Sequence, residues 1–251
     1  MGRNIVIYQD EGVGEFGLAC LVRFFGRDAV RFADAAAVID ANILDGADIF
    51  VMPGGADLPY CRALNGAGNA AIRRFVEKGG TYLGLCAGAY YGCRALEFHK
   101  GRADEITGGR ELAFANATAC GSLHALAKPY DLTLRSAAVT RILLPSGESV
   151  PVFYHGGPAF RLDAGHGNNG NAAPHIAGRY LELENAPPAI IESRAGQGRA
   201  ILCGVHPEVT ADDLGQYPLE DAQDAPIRAV LAAQLSGADP HALLRSLLKR
   251  S

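Results

Sequence analysis

Thr81-Tyr82-Leu83-Gly84-Leu85-Cys86-Ala87-Gly88-Ala89-Tyr90-Tyr91-Gly92, residues 81–92, sets the architecture of the sequence around it. The apolar run Thr81–Leu85 ends on a cysteine with glycines two before and two after, Gly84 and Gly88. That spacing between a strand and a helix predicts an elbow, a turn so sharp that the central side chain stands out of the fold. The helix that follows would direct its N-terminal dipole at the sulfur and favour thiolate. A buried structural cysteine beside a glycine turn gives the same short pattern, so the motif alone leaves both readings open.

Upstream of the elbow, strands and helices alternate. Asn4–Tyr8 (NIVIY) reads as a short apolar strand, ended by the polar loop QDEGVGE. Residues 15–25 space Phe16, Ala19, Cys20, Val22 and Phe24 as a helix face. Ala29–Phe32 is a weak second strand, and the alanine-rich stretch 34–44 is helix or turn. Asp48–Met52 is a buried strand stopped by Pro53-Gly54-Gly55. Residues 68–78 place Ala71, Ile72, Phe75 and Val76 on one helix face, closed by Gly79-Gly80. After the elbow, 89–98 (AYYGCRALEF) reads as helix. Short turns between alternating strands and helices mean crossover units on a parallel sheet, hence an α/β fold.

The second half has a different rhythm. Leu132–Leu134, Val139–Leu144, Val150–Tyr154, Ile190–Ser193 and Arg199–Val205 are strand-like, with tight turns at PSGE (145–148) and AGQG (195–198). These hairpin signals predict an antiparallel extension of the parallel sheet. Residues 163–178, rich in Gly, Asn and Ala, read as a loop. From Asp221 to Lys249 the pattern turns helical again. With no repeat and no long linker, residues 1–251 are expected to form one domain, with a core over about 4–210 and a helical cap over about 221–250.

Bulk properties bound the function. The chain has 251 residues, 49% of them hydrophobic and 20% charged, which is globular rather than disordered composition. A net charge of −4 gives no basic face for nucleic acid. Met1-Gly2 would suit myristoylation, but Val6 stands where that signal needs Ser or Thr. No leader or membrane-spanning run is apparent. Six cysteines, at 20, 61, 86, 93, 120 and 203, are scattered without paired spacing. They read as reduced thiols, and a cytoplasmic location is expected.

Two further segments carry chemistry. Val205-His206-Pro207-Glu208 follows an apolar strand; in extended backbone, residues two apart project to the same side, so His206 and Glu208 would face the sheet edge together. A catalytic base needs a group to orient it and stabilise its imidazolium, and a neighbouring carboxylate does both. A solvated surface turn is the plainer alternative for these residues. Met52-Pro53-Gly54-Gly55 also follows a buried strand, and the N–H groups of Gly55 and Ala87 would form an oxyanion-binding pair. All three segments follow strands, where a parallel sheet presents its carboxyl ends to ligand. Asp10, Glu11 and Glu15 follow the first strand and read mainly as a solvated loop. His166 and His175 lack partnered ligands, so no metal is expected. Without a P-loop or a dinucleotide fingerprint, no cofactor is expected either.

The order PGG (53–55), GLCAG (84–88) and HPE (206–208) resembles the class I glutamine amidotransferase superfamily, with its Cys-His-Glu triad. PGGADLPYC (53–61), CAGAYYG (86–92), FYHGG (153–157) and HPE more closely resemble the amidotransferase-like N-terminal domain of fungal biotin–protein ligases. The resemblance covers about residues 4–210. It implies a flavodoxin-like, mostly parallel sheet with flanking helices, Cys86 as nucleophile, His206 as base, Glu208 as its orienting carboxylate and Gly55 with Ala87 as oxyanion donors. Gly54, Tyr90, Tyr154, His155 and Gly156 would then line a site for a small-molecule amide or other ligand, with no nucleic-acid or membrane partner. Whether a synthase, a ligase or a second copy of the chain accompanies it stays open. No segment resembles the catalytic part of a biotin ligase, so biotinylation is not expected of this chain alone. An amidase or amidotransferase-like hydrolase and a non-catalytic regulatory module that kept the elbow are the two functions in view.

Glutaminases usually carry Gln four residues after the nucleophile, and Tyr90 stands there. A side chain without the amide cannot make the same bonds, and sites built around polar bonds discriminate strongly. Little ammonia is therefore expected from millimolar glutamine in a glutaminase assay of wild type and Tyr90→Gln, with Cys86→Ser as the blank. Strong wild-type release that disappears in Cys86→Ser would refute this expectation.

Overall fold

The structure, a computed structural model, describes residues 3–40, 42–163, 173–219 and 221–249. Met1, Gly2, His166 and most of the stretch read as a loop over 163–178 lie outside the described residues. The first strands are β1 (Ile5–Tyr8), β2 (Val30–Ala33), β3 (Ile49–Met52) and β4 (Thr81–Leu85). The helices among and after them are α1 (Glu15–Phe25), α2 (Ala35–Ile39), α3 (Asp57–Leu64), α4 (Ala67–Glu77) and α5 (Ala87–Gly92). β1 and β3 are buried at every position, as expected of strands covered on both faces of a parallel sheet. Side chains alternate across the sheet. Val6, Tyr8, Phe50, Met52 and Tyr82 enter one apolar cluster, and Ile5, Ile7, Ile49, Val51 and Leu83 enter another on the opposite face. The helical reading of 34–44 reduces to α2, whose first turn is capped by the Asp34 carboxylate accepting from the Ala37 N–H, and a short 3-10 turn over Asn42–Leu44. Helix α3 follows the PGG turn in a segment for which the sequence gives no helix signal.

The strands β8 (Ala137–Leu143), β9 (Ser149–His155), β11 (His175–Tyr180), β12 (Pro188–Ala195) and β13 (Gly198–Cys203) complete a nine-stranded sheet of order β2-β1-β3-β4-β13-β12-β11-β8-β9. β13 pairs parallel with β4, and from β12 outward every pairing is antiparallel. The antiparallel extension is thus four strands wide rather than one hairpin. Two expectations need correction here. Leu132–Leu134 is not a strand; Leu134–Ser136 forms a 3-10 turn started by Thr133, whose side chain accepts the Arg135 N–H. Residues 175–178, read as loop, begin β11, because Ile176 and Gly178 pair with Ile191 and Ile190 of β12.

A second sheet was not foreseen. The strands β5 (Cys93–Phe98), β6 (Ile106–Gly109), β7 (Ala115–Gly121) and β10 (Ala159–Leu162) form it in the order β10-β7-β5-β6. The helix expected over 89–98 therefore stops at Gly92, and CRALEF extends because β7 pairs with it in parallel. Leu96, Phe114, Ala115, Ala117, Ala119 and Phe160 pack this sheet onto the Tyr8–Phe50–Tyr82 face. Within Asp221–Lys249, helices α7 (Ala225–Leu235) and α8 (Pro240–Leu248) follow the short α6 (Ala211–Gly215). Leu231 and Leu235 pack near Phe153, Val209 and Leu214, while Leu243 and Leu244 join the Ile5–Leu83 face. No helix among the described residues is long and apolar enough to cross a membrane.

Gly88 shows how tightly the elbow fits. A Cβ there would run into the Met52 carbonyl oxygen, a backbone atom of the adjacent strand that cannot swing aside. Gly88→Ala should lower stability by roughly 2 kcal/mol or more, the scale of a forced overpacking. Gly215→Ala, where a Cβ would meet open space, should stay within about 0.5 kcal/mol of wild type, the range for ordinary surface changes. Urea melts followed by circular dichroism check both; equal midpoints would refute the close fit.

Candidate active site

Strand register brings the three chemical segments to one place. Met52 of β3 lies opposite Gly84 of β4, and Leu85 lies opposite Cys203 of β13. The carboxyl ends of three neighbouring strands thus finish nearly level, and the segments that leave them meet. Cys86 forms the elbow at φ 49° and ψ −106°, a left-handed conformation costly for a residue with a Cβ. Its N–H donates to Cys203 O at 2.9 Å, and Gly88 N–H donates to Pro53 O at 3.1 Å. These two bonds pin the turn to both adjacent strands.

The PGG turn is held from outside by the loop after β1. Gly14 N–H donates to Gly54 O and Ala56 N–H to Gly12 O, at 2.9 and 2.8 Å. Gly55 sits at φ +139°, and a Cβ there would meet the Gly12 carbonyl oxygen, so only glycine suits the position. Among the hydrogen bonds of the described residues, none uses the N–H of Gly55 or of Ala87. Both residues line the same cavity as Cys86.

His206 and Glu208 meet by a different route from the one the sequence suggests. The backbone after His206 is not extended: Val209 N–H donates to His206 O, closing a turn with Pro207 at its second position. That turn folds the Glu208 carboxylate back, and Oε1 accepts from His206 Nδ1 at 2.8 Å. Glu208 is fully buried and His206 nearly so, while His206 Nε2 and Glu208 Oε2 have no hydrogen-bond partner. Burial works against a charged imidazole. The Glu208 carboxylate and the Cys86 sulfur outweigh it, so the His206 pKa stands well above its usual value. Gly54 lies between the imidazole and the thiol: a Cβ built on it would lie 3.1 Å from His206 Cε1 and 3.3 Å from Cys86 Cβ.

The FYHGG segment arrives from the far edge of the sheet. The sheet curls until β9 reaches the segment after β13, where His206 N–H donates to Phe153 O at 2.9 Å. The His155 carbonyl accepts the Cys86 thiol at 3.5 Å. The His155 ring is pushed down to about 4 by burial and by neighbouring His206, and its Nε2–H donates to Thr133 O at 3.1 Å. Tyr90 lines the Cys86 cavity and donates its hydroxyl to Gly156 O at 3.1 Å, tying α5 to this segment. Tyr154 requires correction as a pocket residue. It is buried in the core, with its hydroxyl donating to Gly157 O and accepting from Leu123 N–H. Tyr82 and Tyr91 are likewise internal, bonded to Gly88 O and Asn69 Oδ1.

An aromatic wall beside Cys86 is built from Tyr90, Phe98 and Tyr130. Burial and the nearby Cys86 sulfur push the Tyr130 hydroxyl upward, and its ring packs 4.8 Å from that of His155. No local pattern marks Tyr130, which lies in the irregular stretch before the Leu134–Ser136 turn. Its backbone N–H donates to Ser122 Oγ, which in turn is 2.8 Å from His99 Nε2, and His99 Nδ1 is 2.6 Å from Asp104. This serine–histidine–aspartate chain lines none of the cavities around Cys86 and serves to fix the Tyr130 segment. Of the early acidic residues, Asp10 accepts backbone N–H groups of Glu11 and Ala35, Glu11 pairs with Arg62, and Glu15 lines a cavity on the His206 side. Among the described residues, no group of three His, Cys, Asp or Glu side chains could hold a metal ion.

Comparison with known proteins bears on the fold and the family. The PurLQS structure from Thermotoga maritima aligns over 98% of this chain and 100% of its own, with a TM-score of 0.57 and 11% identity, a likeness of fold alone. An uncharacterized protein of Chlamydia muridarum is 31% identical over 214 residues, 82% of this chain and 80% of that protein. The biotin–protein ligase of Schizosaccharomyces pombe is 30% identical over 246 residues, which are 92% of this chain and only 37% of the ligase. The family described as biotin-protein ligase, N terminal, matches residues 3–250. With its glutamine amidotransferase-like α/β fold, the chain belongs to the biotin–protein ligase N-terminal family.

Proposed function

We propose that this chain is a cysteine-dependent amidase or amidotransferase-like hydrolase. Cys86 is its nucleophile, His206 its acid and base, Glu208 the group that orients the imidazole, and Gly55 and Ala87 N–H its oxyanion donors. The observation that carries the proposal is the buried His206–Glu208 pair: Nε2 of the imidazole has no hydrogen-bond partner, and His206 lines the same cavity as a thiol on a strained elbow. A structural cysteine needs neither a strained backbone nor a buried, charge-stabilised imidazole beside it. The 37% share of the S. pombe ligase gives no support for biotin transfer by this chain alone.

One observation favours a second reading, a ligand-binding module without turnover. The Cys86 thiol donates to the His155 carbonyl, and His206 Nε2 makes no hydrogen bond to it. Catalytic hydrogen bonds are often long in the empty state and tighten once substrate is bound, so labelling chemistry separates the two readings.

Among the other thiols, burial raises the pKa of Cys20, Cys61, Cys93, Cys120 and Cys203. Iodoacetamide at pH 7, followed by peptide mapping, should therefore label Cys86 first. His206→Ala should slow that labelling at least about tenfold, because the imidazole beside the sulfur is lost. The sign follows from the raised pKa of His206. Its positive charge is present at neutral pH and lost as pH rises through that raised value, so the two rates converge at high pH. Uniform labelling of all six cysteines, or a silent Cys86, would favour the binding module. Glu208→Gln should reproduce part of the His206→Ala effect, because the imidazolium then lacks its buried counter-charge.

A further inference from the structure

Two cavities meet at Cys86, and they differ in size and chemistry. The smaller, about 150 Å³, has Gly55 and Ala87 on one wall and Leu58, Leu96, Phe98 and Ile106 on the others. Its carboxylate, Asp57, is held by Arg110 at 2.7 Å. The larger, about 320 Å³, opens on the His206 side, where Glu15, His155, Val209 and Pro218 line it. Gly55, Cys86 and Tyr130 line both.

We infer that the small cavity is an acyl chamber and the large one an amine chamber, so that the substrates are N-substituted amides, R–CO–NH–R′, with a small apolar R and a larger R′. This rests on the hydrolase reading above. With the Cys86 proton transferred to His206 Nε2, the thiolate sulfur bonds to the carbonyl carbon, and the carbonyl pair moves to oxygen, which faces the Gly55 and Ala87 N–H groups. The C–N bond then breaks as His206 Nε2–H gives its proton to nitrogen, leaving a thioester and a free amine. Water attacks the thioester, its proton goes to His206 Nε2, and the carboxylic acid departs with the thiol restored.

Proton transfer fixes the orientation. Nitrogen must lie against His206 Nε2, and His206 lines only the larger of these two cavities, so R′ projects there. Oxygen and R then turn to the side of Ala87, which lines only the small cavity, while Gly55 lines both. An apolar space of about 150 Å³ takes roughly one benzene ring. A primary amide would leave the larger chamber holding only ammonia, a poor match for a site that binds by burying most of its ligand. The exposed residues Leu58 and Pro218 each line a single chamber and can be enlarged without touching the core.

The test uses acyl donors and amines in sequence on the full chain. Cys86 acylation by 4-nitrophenyl acetate, butyrate, benzoate and 2-naphthoate is followed by intact mass, with Cys86→Ser as the blank. Rates should hold up to benzoate and fall at least about tenfold at naphthoate, and Leu58→Trp should bring that fall down to benzoate. The acyl-enzyme is then offered benzylamine against ammonia. Benzylamine should capture the acyl group at least about tenfold better, relative to the same competition on a free thioester, and Pro218→Trp should erase that preference. Equal capture or a preference for ammonia overturns the amine chamber. An acyl limit moved by Pro218→Trp and not by Leu58→Trp overturns the assignment of both chambers. No Cys86-dependent acylation by any donor overturns the hydrolase reading and this inference with it, whereas the first two outcomes leave that reading standing.

Discussion

The level ending of β3, β4 and β13 is the constraint from which the site follows. Parallel pairing fixes where each strand stops relative to its neighbours, and here it sets Met52 beside Gly84 and Leu85 beside Cys203. A slip of one residue in β4 would turn Leu83 and Leu85 to the wrong face and exchange the two apolar clusters that flank the sheet. The apolar alternation that stabilises the fold therefore also fixes the position of Cys86. Bonds from Cys86 N–H and Gly88 N–H to the two adjacent strands carry that registration into the turn itself.

The second dependence is electrostatic. Glu208 has no solvent exposure, and its Oε1 is bonded to His206. Removing one member of such a pair strands a buried charge, at about 3–5 kcal/mol. A pair of this kind adds little to stability compared with apolar packing, so its presence points to use rather than to architecture. His155 offers a contrast within the same pocket. With Nε2–H given to the Thr133 carbonyl and no carboxylate as hydrogen-bond partner, its pKa falls where that of His206 rises.

What the sequence discloses divides along the same lines. β1, β3, β4 and α4 are legible because IVIY, IFVM and the face of Ile72, Phe75 and Val76 carry their own periodicity. Cys86, His206 and Glu208 are legible because glycine spacing and position after a strand are local signals. The second sheet was hidden: CRALEF carries apolar residues at spacings a helix also tolerates, and only the distant β7 makes it a strand. ANATACG, with its small side chains, gives almost no hydrophobic pattern of its own. Phe98 and Tyr130 join the pocket wall through that sheet and through the Ser122–His99 chain, contacts between segments far apart in sequence. Tyr154 went the other way, since a tyrosine next to a family-like HGG motif looks the same whether it turns inward or toward ligand.

The curl that carries β9 to His206 has a consequence for the newly made chain. The elbow leaves the ribosome early, while the edge strand and the imidazole emerge long after it. Domains of this size generally gain their long-range pairings only once most of the chain is available. Until β9 and the turn at Pro207 dock, Cys86 lacks both the imidazole beside it and the far walls of its cavity. Assembly of the surroundings of Cys86 is thus coupled to completion of the sheet, and an unfinished or misfolded copy lacks them.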